Sequence, residues 1–87
     1  MFNYNIEEQI LHIDLPQGKT QEDLVRLASE ELDELISSGS LYGSHAKING
    51  RLTTGMALMM GHKLAHVCKT VSVFDPKENS YVLCVSH

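Results

Sequence analysis

A stripe of apolar side chains at three- and four-residue spacing marks the first half of the chain. Its members are Leu24, Leu27, Ala28, Leu32 and Leu35. This spacing places them on one face of an amphipathic helix. Thr20 precedes the stripe with Asp23 three residues later, which favours a helix that opens at Thr20. Ser37-Ser38-Gly39 predicts its end.

A second helical stripe follows in the other half. Its predicted inner face carries Met56, Ala57, Met60, Leu64 and Val67. Thr53 or Thr54 supplies the N-terminal cap, and the pattern predicts a helix that runs to about Lys69.

Shorter apolar segments, alternating or rich in β-branched residues, predict the strands. The predicted strands are one or two within residues 2–15, then His45–Ile48, Thr70–Phe74 and Tyr81–Val85. The predicted turns are Glu7-Glu8, Pro16-Gln17-Gly18, Asn49-Gly50-Arg51 and residues 76–80.

These elements give the order β(β)αβαββ in a single domain over residues 1–87. The strand, helix and strand from 45 to 75 predict a parallel βαβ unit with a right-handed crossover. The last two strands predict a hairpin. We therefore expect an α+β, ferredoxin-like sandwich, with two helices on one face of a mixed sheet.

Charge is distributed unevenly between the two halves. Residues 1–44 carry nine acidic residues against two basic ones, a balance of −7, and residues 45–87 carry two against five, a balance of +3. Four of the five histidines also lie in the second half. The net charge of −4 argues against general binding of long double-stranded nucleic acid. The same net charge is compatible with a small polyanionic ligand bound by the basic half of the chain.

Other protein classes are disfavoured by what the sequence lacks. The apolar run Leu58-Met59-Met60 is far shorter than the roughly 20 residues that span a bilayer. The start of the sequence does not resemble a signal peptide. Cys68 and Cys84 lie on apolar segments and are expected to be reduced core residues of a cytoplasmic protein. A chain this small has a limited core, which favours oligomerisation.

Candidate chemistry begins where the predicted parallel strands end, since ligands of open α/β sheets bind outside those ends. Asn49-Gly50-Arg51 follows one strand, and Asp75-Pro76-Lys77 follows the next. Gly50 would let the backbone approach a ligand, and Arg51 with the free amides after Thr53 would bind a phosphate. The alternatives are that Asn49-Gly50 is only a turn and that Asp75 only initiates one.

Two histidines lie four residues apart on the second helix. His62 and His66 share a face, so they could bind a metal, or one could act as a general acid or base. An exposed helix face with two incidental histidines explains the same spacing. His87 is the last residue, and a frayed terminus or a tag remnant explains it equally well.

Taken together, several segments resemble a known family. Ile48-Asn49-Gly50-Arg51, the helix with His62-Lys63 and His66, the segment from Val71 to Pro76 and the ending Ser86-His87 occur in this order. In order and spacing they resemble the small CRISPR-associated ring nucleases of type III systems, in the Csx group. The likeness covers residues 46–87, about half of the chain.

The resemblance implies a ferredoxin-like homodimer that cleaves cyclic tetra-adenylate to linear products, with manganese as the favoured metal, and that can shorten RNA tails. Two dimers can enclose the ligand in a ligand-bridged tetramer, so that one site draws on both. The implied catalytic residues are His66, Asp75 and Lys77. The implied ligand-binding residues are Asn49, Gly50, Arg51, Thr53 and His62. The implied metal ligands are Asp75 and His87.

Some positions depart from the family pattern. Asn49 stands where the family has serine, Leu52-Thr53 replaces a Gly-Pro pair, and Lys77 replaces an arginine. A lysine cannot make the bidentate contact of an arginine. Three hypotheses follow: a ring nuclease, a module that binds or sequesters the cyclic nucleotide without cutting it, and an assembly domain with incidental histidines.

Overall fold

The fold is a five-stranded mixed sheet with two helices. The structure is a computed structural model and describes residues 1–86. The predicted metal ligand His87 lies outside the described residues. The elements are β1 (Phe2–Asn5), β2 (Ile10–Ile13), α1 (Gln21–Ser37), β3 (His45–Gly50), α2 (Thr54–Ala65), β4 (Thr70–Asp75) and β5 (Ser80–Ser86). This confirms the predicted α+β class and element order.

The strands follow one another across the sheet in chain order. The central strands β2, β3 and β4 are parallel, and β1 and β5 are antiparallel to their neighbours at the two margins. Two consecutive βαβ units, through α1 and through α2, build the centre. The helices contact each other over one face of the sheet, which is the layer arrangement of the predicted ferredoxin-like sandwich.

The core lies between the helices and that sheet face. Its buried side chains are Leu11, Ile13, Leu24, Ala28, Leu32, Leu41, Ala46, Ile48, Met56, Met60, Leu64, Cys68 and Val71. Within residues 1–86 both helices lie on that face, so the opposite face of the sheet, toward which alternate strand residues point, has no helix over it. Neither helix of residues 1–86 is long and apolar enough to cross a membrane.

Three details differ from the sequence-based expectation. Ala57 is exposed, because the core stripe of α2 passes through Met56, Met60 and Leu64 instead. Helix α2 ends at Ala65, because the amides of His66 and Val67 turn back to carbonyls only three residues earlier. Cys84 is exposed on the marginal strand β5, so only Cys68 is a core cysteine.

Candidate functional site

Three parallel strands end together at one end of the sheet. β2 ends at Ile13, β3 at Gly50 and β4 at Asp75, and Ile13 pairs directly with Gly50. The direct pairing of β3 with β4 brings the segments after them to the same end, as predicted. The contribution of β2 was not predicted. α1 also connects two parallel strands, β2 and β3. A definite prediction of strand β2 from the sequence would have shown that its end lies beside the end of β3.

Gly50 has a structural role at this end. Its φ of +135° disfavours any other residue, and a Cβ there would collide with the carbonyl oxygen of Ile13. Asn49 and Gly50 therefore belong to β3 and do not form a separate turn. Asn49 is half-buried on the helix-free face of the sheet, where it pairs with His12. The glycine is explained by strand packing alone.

Arg51 follows directly and is exposed. Its side chain lines a cavity of ≈ 380 Å³ together with the end of β2 and the segment after it, residues 13–17, in which Asp14 carries a carboxylate. Among residues 1–86, no carboxylate forms an ion pair with Arg51. A guanidinium with free donors beside a cavity is suited to an anionic ligand.

The start of α2 is less available to a ligand than the sequence suggested. The Thr53 hydroxyl accepts a hydrogen bond from the Met56 amide at 3.1 Å. The Gly55 amide donates to Oε1 of Gln21 on α1 at 2.7 Å. Thr53 is thus the N-cap, and two of the early amides are already satisfied. Phosphate binding at this end would rest mainly on side-chain cations.

Asp75 and Lys77 lie in the turn after β4. Oδ1 of Asp75 accepts a hydrogen bond from the Lys77 amide at 3.0 Å, which is the geometry of an Asx turn. Asp75 is half-buried, whereas Lys77 is exposed and forms no ion pair within residues 1–86. The turn therefore directs one carboxylate and one free ammonium to the end of the sheet. We call Arg51, Asp75 and Lys77 the carboxyl-end site.

An aromatic pair adjoins this site on the helix-free face. Phe74 and Tyr81 are paired across β4 and β5, with ring centroids 5.3 Å apart in an edge-to-face arrangement. Both are half-buried. Sequence reasoning overlooked them, although the strand pairing predicted around residues 76–80 would have placed them opposite each other.

The two helix histidines lie at the other end of the molecule. Their rings meet edge to face with centroids 4.9 Å apart, and both side chains are exposed. α2 begins next to Arg51 and runs back for 12 residues, about 18 Å at 1.5 Å per residue. His62 lies near its far end, and His66 is its C-cap. A single chain therefore does not bring His66 next to Asp75.

The donor set for the expected manganese is incomplete within this part of the chain. Residues 1–86 contain no group of three His, Cys, Asp or Glu side chains close enough to hold a metal. Asp75 can contribute one carboxylate. The second expected ligand, His87, lies outside the described residues. The described residues alone do not fit a metal centre.

Acidic side chains surround a different cavity, between α1 and the segment after β2. This cavity of ≈ 410 Å³ is lined by four carboxylates: Asp14, Glu30, Glu31 and Glu34. Glu31 lies 3.7 Å from the N-terminal ammonium of Met1. Four carboxylates around one cavity repel an anionic ligand there.

Comparisons with known proteins assign no relative. No protein-family model matches the chain, and neither the curated proteins nor the solved structures contain a match.

Proposed function

We propose that the chain binds a cyclic oligoadenylate, cyclic tetra-adenylate first, and cleaves it to linear products. It would thereby switch off type III CRISPR signalling in the cytoplasm, as a homodimer or a ligand-bridged tetramer. The observation that carries the proposal is that Arg51 and Lys77, two cations without ion-pair partners in residues 1–86, follow the neighbouring parallel strands β3 and β4 at the same end of the sheet, where Asp75 ends β4. Their charges favour phosphates.

The neighbouring surface favours a nucleotide over a simple phosphate. The Phe74–Tyr81 pair offers aromatic faces on which adenine could stack, and Asn49 offers amide groups for the edge of a base. The acidic outer surface of α1 disfavours long nucleic acid. A small ring of alternating phosphates and adenines fits this combination.

The chemistry follows from these roles. Either water or the ribose 2′-hydroxyl attacks phosphorus, and the bond from phosphorus to the 5′ oxygen breaks. Arg51 and Lys77 stabilise charge on the phosphate, Asp75 orients the nucleophile and accepts its proton, and a histidine gives a proton to the departing 5′ oxygen. Since His66 lies one helix length from Asp75, we assign this proton transfer to His66 of a second copy.

A binding module without catalysis is the second candidate. It is favoured by the separation of His66 from Asp75 within one chain and by Lys77, which is a point charge where an arginine would make two bonds. The same carboxyl-end site would hold the intact ring.

One experiment separates these candidates. The protein is mixed with cyclic tetra-adenylate, with manganese or with a chelator, and binding and products are measured by calorimetry and chromatography. Linear adenylates support the nuclease, tight binding without products supports the module, and no binding refutes both. Arg51→Ala should weaken binding roughly ten- to a hundredfold, because a charged hydrogen-bond donor is lost. Arg26→Ala is the matched control, since Arg26 pairs with Asp23 and Glu30 on α1.

A further inference from the structure

A groove runs between the first strand, β1, and the flank of α1 beside it. It consists of two cavities of ≈ 410 and ≈ 330 Å³, which are continuous because Glu31 and Glu34 line both. We call it the β1–α1 groove. Its apolar wall is formed by Phe2, Tyr4, Leu15, Pro16, Leu27 and Leu35.

The rim of the β1–α1 groove is acidic and only partly neutralised. No lysine or arginine among residues 1–86 lines the groove. Glu31 pairs with the N-terminal ammonium, and Glu30 pairs with Arg26 at 3.9 Å. Asp14 and Glu34 have no ion-pair partner within residues 1–86. The groove therefore combines an apolar wall with unbalanced negative charge.

The backbone of β1 has free hydrogen-bonding groups beside the groove. Within residues 1–86, β1 pairs only with β2. The Asp14 amide donates to the Met1 carbonyl at 2.8 Å, and hydrogen-bonded pairs alternate along an antiparallel ladder. The N–H and C=O groups of Phe2 and Tyr4 therefore point away from β2. Such groups pair readily with an added strand.

Tyr4 supplies an independent observation. Its hydroxyl oxygen is buried and has no hydrogen-bond partner among residues 1–86, although its ring lines the groove. Buried tyrosine hydroxyls normally have a partner. A segment bound along β1 would bring new backbone and side-chain groups next to this ring.

We propose that β1 and the β1–α1 groove bind an extended basic segment of another protein, which adds a sixth strand to the sheet. The backbone of this segment pairs with Phe2 and Tyr4, and every second side chain points into the groove. There the methylene stems of lysine or arginine cover the apolar wall, and their charged ends reach Asp14 and Glu34. The inference does not depend on nucleotide binding.

The charges select this occupant over others. Self-pairing of β1 would bring two acidic rims together, with Glu31 and Glu34 of both copies at the junction, and like charges oppose it. Nucleic acid is repelled by the same carboxylates. A small polycation such as spermidine matches the rim but makes no use of the outward backbone groups of β1.

Hydrogen exchange in the full chain tests strand addition. The probe is a nine-residue peptide of alternating valine and lysine, and the control peptide has glutamate in place of lysine. On binding of the lysine peptide, the Phe2 and Tyr4 amides should exchange more slowly. The Asn3 amide, which already faces its partner His12 on β2, and the β5 amides should not change. The glutamate peptide should not bind.

Two charge reversals on α1 test the groove. Glu34→Lys should raise the dissociation constant of the lysine peptide roughly tenfold, because attraction becomes repulsion. Glu22→Lys is the matched control, since Glu22 is an equally exposed acid on the flank of α1 that faces α2. Circular dichroism checks that both variants fold.

Four results would overturn the inference. They are a lysine peptide that does not bind, binding that leaves the Phe2 and Tyr4 amides unchanged, equal weakening by the two variants, and spermidine that displaces the peptide at equal concentration. Each result is obtained without nucleotide, so it is distinct from failure of the proposed function.

Discussion

Replacing Gly50 by alanine tests how closely β2 and β3 approach at the end of the sheet. The variant combines a left-handed backbone with a collision against the Ile13 carbonyl, so the free energy of unfolding should fall by roughly 1–3 kcal/mol or more. Urea unfolding measures this. Gly39→Ala is the control, since its φ is +85° but its Cβ would meet nothing within 4 Å. Equal losses of unfolding free energy in the two variants would show that the chain shifts enough to avoid the collision with the Ile13 carbonyl.

Cys68 gives a second prediction for a single residue, on pH dependence. Burial raises the pKa of its thiol above its ordinary value, and a hydrogen bond from Ser44 partly offsets this. Because the unfolded chain then loses the proton first, the free energy of unfolding should decrease as the pH rises above about 9. The decrease should be smaller in Cys68→Ala and unchanged in Cys84→Ala, as measured by urea unfolding across that pH range. If the free energy of unfolding of Cys68→Ala falls as far as that of the parent protein, groups other than Cys68 cause the decrease.

Between elements, the contact from Gln21 to Gly55 joins the starts of the two helices. Gln21→Ala leaves the Gly55 amide without this acceptor, and the free energy of unfolding should fall by about 0.5–1.5 kcal/mol. Thermal or urea unfolding measures the change against Gln17→Ala, which alters an exposed glutamine before the helix. If the two variants are equally stable, water replaces the Gln21 side-chain oxygen as acceptor without loss of stability.

The elements also show what local pattern can and cannot predict. Helical spacing predicted the core face of α1, because Leu24, Ala28 and Leu32 recur at four-residue intervals and are buried. The same reasoning placed Ala57 in the core, because alanine fits a buried or an exposed face equally well. The extension of β3 through Gly50 was missed, since Asn-Gly is typical of turns and only pairing with β2 reveals a strand.

At the scale of the whole molecule, the order of elements predicted which segments share one end of the sheet. It placed Arg51 and Asp75 together because consecutive parallel strands end on the same side. It could not predict that the early amides of α2 are satisfied by Thr53 and Gln21, since this depends on how α1 packs against α2. The distance of His66 from Asp75 follows from the same topology, because a crossover helix must run back along the strands.

That distance leads to a prediction about shared sites. If Arg51 of one copy acts with His66 of another, Arg51→Ala and His66→Ala should each abolish cleavage of cyclic tetra-adenylate, whereas a mixture should regain part of it. Assemblies that contain both variants hold sites in which both residues are intact. Chromatography of the products after mixing measures this, and Arg51→Ala mixed with Lys77→Ala is the control. Both residues of that control belong to one carboxyl-end site, so no recovery is expected. Recovery in neither mixture would show that Arg51 and His66 do not act from different copies, and full cleavage by His66→Ala alone would place His66 outside the reaction.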